Sequence, residues 1–182
     1  MNKIIMFILL LQVGSLKMFP QNWNKISNKI ASCQEQVLLM QNNVPNKILK
    51  FFIKEYDKAR RESRIFDRLN VQMCDTVYVL EETDQASLSL LSTVWTRSNM
   101  FSYSSSYAGR GRYKVELVKE RYFSRRMMTL ASQWNIEEIR KEEKVNQSLP
   151  LEIICLTRII LNEKKPKIDC IMFCDFWNLD HD

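Results

Sequence analysis

Apolar positions recur at helical spacing along much of the chain. Trp23, Ile26, Ile30, Cys33, Val37 and Met40 step by three or four residues, which aligns them on one face of a helix. Asn42 and Asn43 break the stripe, and Pro45 suits the first turn of a second helix. That helix turns Ile48, Phe52, Tyr56, Ala59, Phe66 and Leu69 inward. A third stripe runs through Met73, Val77, Leu80, Leu88, Leu91 and Trp95. Val77–Leu80 has strand propensity, but the spacing on both sides favours helix. The periodicity stops at Ser98, and the serine-rich run into Gly109 and Gly111 predicts a loop. A long helix is expected over Tyr113–Lys144, with Val118, Tyr122, Leu130, Trp134 and Ile139 inward. Pro150 opens a fifth helix through Ile153, Thr157, Ile160 and Leu161, and Pro166 ends it. A short last helix holds Ile168, Ile171, Met172 and Phe176. The expected fold is all-α: a single up-and-down bundle of five or six helices.

Composition strengthens that expectation. The 182 residues contain only three glycines and four prolines, whereas a β-rich domain spends these residues on tight turns. Residues 1–15 read as a secretory signal peptide. Lys3 precedes the apolar run Ile4–Leu11, and Val13 and Ser15 suit the two positions a signal peptidase reads. The run is too short to span a bilayer as a helix. A helical bundle domain is then expected over residues 16–182.

Five cysteines, Cys33, Cys74, Cys155, Cys170 and Cys174, enter an oxidising compartment on this reading. Pairs are expected, the odd count leaves one over, and the connectivity stays open. The sequon Asn146-Gln147-Ser148 marks Asn146 as an exposed N-glycosylation candidate.

Catalytic chemistry is poorly supplied. The single histidine, His181, lies next to the last residue, and a catalytic base must be held in place. Histidine-based nucleophilic catalysis and zinc sites are therefore not expected, and no cofactor or metal is implied. The carboxylate pairs Glu81-Glu82 and Glu137-Glu138 read as solvated helix faces. Basic residues are better organised, in a chain of formal charge +6. Lys50, Lys54, Lys58, Arg61, Arg64 and Arg68 form one track along the second helix. Arg110, Arg112, Lys114, Lys119, Arg121, Arg125 and Arg126 form a second, interleaved with Tyr103, Tyr107, Tyr113 and Tyr122. Such tracks on a secreted protein draw anionic partners such as lipid headgroups, acidic glycans or acidic glycoproteins, with nucleic acid disfavoured outside the cell.

In its C-terminal half the chain resembles the abalone egg-lysin family of sperm acrosomal proteins. Tyr122-Phe123-Ser124-Arg125-Arg126-Met127-Met128 is similar to that family's aromatic, double-arginine and methionine stretch. The spacing from there to Pro150, the step Thr157-Arg158-Ile159, and Ile168-Asp169 followed by Phe173, Asp175 and Phe176 also look like the family's. The resemblance covers about a third of the chain and implies a helical bundle, an acrosomal location and no enzymatic activity. It implies a fertilisation role closer to the fusagenic sister of lysin than to lysin itself. The expected function is thus that of a non-enzymatic, membrane-active sperm protein. One alternative is a lysin-like stoichiometric binder that opens the egg vitelline envelope, and another is a secreted helical cytokine. The partners expected are egg membrane lipid or an egg envelope glycoprotein, with homodimer formation left open.

Overall fold

The computed structural model describes residues 22–38, 46–69, 71, 76–84, 89–107, 113–118, 123–145, 151–161 and 165–176. The proposed leader, Cys74, Arg110, Arg112, Lys119, Arg121 and Asn146 lie outside them. The all-α bundle is not what the chain adopts. Three helices, α1 (Trp23–Leu38), α2 (Asn46–Ser63) and the single turn α3 (Ile65–Arg68), precede four strands, β1 (Thr76–Asp84), β2 (Ser89–Trp95), β3 (Met100–Tyr107) and β4 (Tyr113–Val118). Helices α4 (Arg125–Gln133) and α5 (Ile136–Val145) follow, and β5 (Leu151–Ile160) and β6 (Lys167–Phe176) close the order. The six strands form one sheet in the order β4-β3-β2-β1-β5-β6, and every neighbouring pair is antiparallel.

Helices cover both faces of this sheet. On one face α1, α2 and α3 bury Ile26, Ile30, Ile53, Tyr56 and Phe66 against Val77, Val79, Val94, Ile153 and Ile159. On the other, α4 and α5 bury Met127, Ala131 and Ile139 against Leu80, Trp95, Ile154 and Leu156. Successive side chains on a strand point to opposite faces, so a strand covered twice is apolar at consecutive positions. That burial is why the third, fifth and sixth expected helices are strands. Val77 and Val79 go to one core while Leu80 goes to the other, and β5 divides Ile153, Cys155 and Ile159 from Ile154 and Leu156 in the same way. Two-sided burial leaves spacings that also satisfy a helical stripe.

The turns explain why few glycines were needed. Between β2 and β3 the Thr96 N–H donates to Asn99 O at 2.7 Å, and the Thr96 hydroxyl accepts from the N–H groups of Ser98 and Asn99. A threonine side chain here supplies the local hydrogen bonds of a tight turn. The serine-rich stretch expected as a loop is β3, where Ser102 pairs with Thr93 of β2 at 2.8 Å.

The expected helix over Tyr113–Lys144 is divided into β4, α4 and α5. Ser124 caps α4, its hydroxyl accepting from the Met127 N–H at 3.0 Å. Trp134 ends that helix at φ 57, in the left-handed region. The Asn135 carboxamide oxygen then accepts from the Glu138 N–H in the first turn of α5.

Candidate functional site

Every helix–sheet interface needs residues that satisfy both the helix stripe and the pleat. In this chain one such position on each side is charged. Arg60 follows Tyr56 by four residues on the buried side of α2, and Glu81 follows Val79 by two on the same face of β1. Both side chains are wholly buried. Arg60 Nη1 donates to Glu81 Oε1 at 2.6 Å and Oε2 at 2.7 Å, and Gln34 Nε2 of α1 donates to Oε2 at 2.9 Å. Arg60 Nε reaches the Ser27 hydroxyl, which donates to Asp57 at 2.7 Å. In the sheet, Glu81 sits in register with Ser92, and Ser92 with the buried Tyr103.

The electrostatics follow this geometry. Burial pulls the Arg60 guanidinium down, but the Glu81 carboxylate beside it more than offsets that and holds it above its ordinary value. Burial, reinforced by Glu81, pushes the Tyr103 phenol up, so it stays protonated. For Asp57, burial opposes ionisation, but hydrogen bonds from Arg61 and Ser27 outweigh it and lower the carboxyl below its usual value.

A pocket of about 410 Å³ opens at the edge of this cluster, lined by Trp23, Ser27, Arg60, Arg61, Arg64 and Asp67, among others. Its cations are answered by carboxylates. Arg61 pairs with Asp57 at 2.8 Å, Arg64 with Asp67 at 2.9 Å, and Arg60 with Glu81. Charge therefore does not single it out as an anion site. Among the described residues no group of three or more His, Cys, Asp or Glu side chains could hold a metal ion.

The outer side of α2 differs. Lys50, Lys54, Lys58 and Arg61 lie along the helix, Arg64 stands just past its end at φ 50, and Arg68 closes α3. Lys50, Lys54, Arg64 and Arg68 are exposed. No carboxylate among the described residues pairs with Lys50, Lys54 or Arg68. Phe51, 55% exposed, lies to one side of Lys50 and Lys54 around the helix, nearer Lys54, and meets Phe52 edge-on at 5.5 Å.

The second expected track is not continued along one helix. Lys114 belongs to β4, whereas Arg125 and Arg126 stand exposed in the first turn of α4, where Arg126 pairs with Glu142 at 3.0 Å. Helix α4 covers the sheet face opposite to α2, so the two basic groups do not share one flat surface. Tyr103, expected as a surface stacking residue, is a core residue. Among the cysteines, Cys33 lies on α1, Cys155 is buried on β5, and Cys170 and Cys174 lie on β6.

Sequence reasoning treated Glu81 as a solvated residue and passed over Arg60. The available signal was position: each falls on the buried phase of its own element. The residues that carry the egg-lysin resemblance fall on two kinds of element. Arg125–Met128 begin α4, but Thr157-Arg158-Ile159 lie in β5 and Ile168-Asp169 in β6, where Arg158 and Asp169 pair across the strands at 2.7 Å. The helical bundle implied by that resemblance is thus replaced by a sheet between two helical layers. No family model, no curated protein and no solved structure matches the chain.

Proposed function

We propose that this chain is a secreted, non-catalytic protein that captures an anionic membrane surface with the outer face of α2. The observation that carries the reading is an exposed ring, Phe51, beside the exposed Lys50 and Lys54, with which no carboxylate among the described residues pairs. Lysines near an anionic headgroup layer contribute about 1 kcal/mol each, and an aromatic ring among them enters the headgroup boundary. Among the described residues no helix is long and apolar enough to cross a membrane, so capture, not insertion of a spanning segment, is the mode proposed. The fusagenic role at the egg surface implied by the egg-lysin resemblance is the setting proposed for that capture. The cytokine alternative drew on a leader, chain size and an all-helical fold, and of these the six-stranded sheet departs from the last.

Vesicle co-sedimentation tests the reading. The secreted chain should bind vesicles rich in phosphatidylserine, bind phosphatidylcholine vesicles weakly, and lose affinity as salt is raised. Reversing Lys50 and Lys54 together to glutamate removes about 2 kcal/mol of attraction, or roughly 30-fold in affinity, before any repulsion is added. Phe51→Ser should weaken binding without changing its salt dependence. Unchanged affinity in the folded Lys50→Glu/Lys54→Glu variant refutes the assignment. Equal binding to neutral vesicles refutes the electrostatic mechanism, and tight binding to an acidic envelope glycoprotein with none to lipid moves the function to the lysin-like alternative.

A further inference from the structure

Helix α1 lies against β6, the edge strand paired with β5. The contact brings together two residues far apart in sequence. Cys33 belongs to the inward stripe of α1, between Ile30 and Val37, and Cys170 lies on β6 between Ile168 and Met172 of the same core. The Cys33 thiol reaches Ile168 O at 3.8 Å, and Cys170 Sγ lies 3.5 Å from the Thr157 hydroxyl. Each thiol is also the largest influence on the acidity of the other, as neighbouring groups are. From this geometry we infer that Cys33 and Cys170 form a disulfide that fastens α1 to the β6 edge of the sheet.

The neighbouring cysteines are worse placed. Cys155 stands opposite Met172, and Cys170 opposite Thr157, so Cys155 and Cys170 are diagonal neighbours on adjacent strands. Diagonal Cα atoms are about 7–8 Å apart, beyond the roughly 4.4–6.8 Å that a disulfide spans. Cys174 is in register with Ile153, two positions further along β6 from Met172.

The chemistry assigns an order to the two thiols. The hydrogen bond from Cys170 holds the Cys33 thiol below its ordinary value. The same contact, together with burial, raises Cys170. Cys33 is half-buried. Its thiolate attacks one sulfur of a donor disulfide, either an oxidised thiol–disulfide oxidoreductase or glutathione disulfide. The donor S–S bond breaks, one donor thiolate leaves and takes a proton, and a mixed disulfide remains on Cys33. Cys170 then gives up its proton and attacks Cys33 Sγ, expelling the second donor thiol. Two protein thiols are oxidised and one donor disulfide is reduced to two thiols. The closed loop holds most of the chain, and long loops gain most from such closure.

This pairing rests on the secreted reading, because a reducing cytosol would keep both thiols. The test separates the two. The full chain is expressed through a eukaryotic secretory pathway, its free thiols are blocked with an alkylating agent, and it is digested without reduction for mass mapping. The expected product is one cross-linked peptide pair containing Cys33 and Cys170. Reduction should lower the melting temperature by about 10 °C, and the Cys33→Ser/Cys170→Ser variant should show no such shift. A secreted chain in which Cys33 and Cys170 are both alkylated, or are joined to other cysteines, overturns the assignment. If the chain is not secreted, the purified reduced protein is titrated with glutathione disulfide. Formation of Cys33–Cys170 ahead of every other pair supports the geometry independently of compartment, and its failure to form overturns it.

Discussion

Removing Arg60 and Glu81 singly and together gives the sharpest test of how the helical layer is held on the sheet. Both side chains are fully buried, and Glu81 accepts from Arg60 at 2.6 and 2.7 Å and from Gln34 at 2.9 Å. Arg60→Met leaves a buried carboxylate with Gln34 as its remaining donor. Stranding one partner of a buried pair costs about 3–5 kcal/mol, a large share of the roughly 5–15 kcal/mol that a domain has in total. Glu81→Leu should cost less, because Asp57 lies 3.7 Å from Arg60 Nη2 and Ser27 accepts from Nε. With both replaced, no ion is stranded and the volume is filled by apolar groups. The Arg60→Met/Glu81→Leu variant should return to within about 1 kcal/mol of the parent, or exceed it. The coupling energy is then about 3 kcal/mol or more, far above that of an exposed pair. Urea unfolding followed by circular dichroism measures it, with comparable m-values required across the four proteins. Added salt should leave the coupling nearly unchanged, since the pair is shielded from solvent ions. Vesicle binding by the folded double variant should equal that of the parent, because the pair lies beneath α2 and not on its outer face. An additive double variant, or an Arg60→Met cost below about 1 kcal/mol, refutes this account of the interface.

Two further outcomes are expected. Arg64 holds φ 50 just past the end of α2, a conformation that costs a non-glycine residue about 1 kcal/mol. Arg64→Gly should therefore raise the unfolding free energy by up to about 1 kcal/mol, less the small contribution of the exposed pair with Asp67. An unfolding free energy that falls or stays the same in urea unfolding would refute this account of the Arg64 backbone. Asp57 has a carboxyl lowered in the folded chain, so its contribution is complete at neutral pH, above the unfolded value, and is lost as pH falls through the lower folded value. Asp57→Asn should destabilise the protein at pH 7 and match it only in acid below the lowered folded value, where the parent carboxyl is protonated. A difference that persists unchanged into strong acid would mean that the residue acts through shape and not through its charge.

The first two helices were legible because each has one wet side. Ile26 and Ile30 face the sheet while Lys25 and Asn28 face water, and that contrast repeats at helical spacing. The basic residues of α2 were legible for the same reason: a solvated face is written by the residues that water tolerates. The strands lacked such contrast. β5 is buried on both sides, so its apolar run Ile153–Leu156 carries no period that tells a strand from a helix. The scarcity of glycine misled because Thr96 and Asn99 make a turn with side-chain hydrogen bonds, and because Trp134 takes a left-handed conformation at the end of α4. The pairing of Arg60 with Glu81 and the meeting of Cys33 with Cys170 were beyond reach of spacing alone. Each joins residues on separate elements, and only the strand order and the seating of α1 and α2 on one face bring them together. Local pattern determined where the first two helices meet water; which buried groups meet one another was decided by the tertiary structure, because burial on two sides erases the periodicity from which a partner could be inferred.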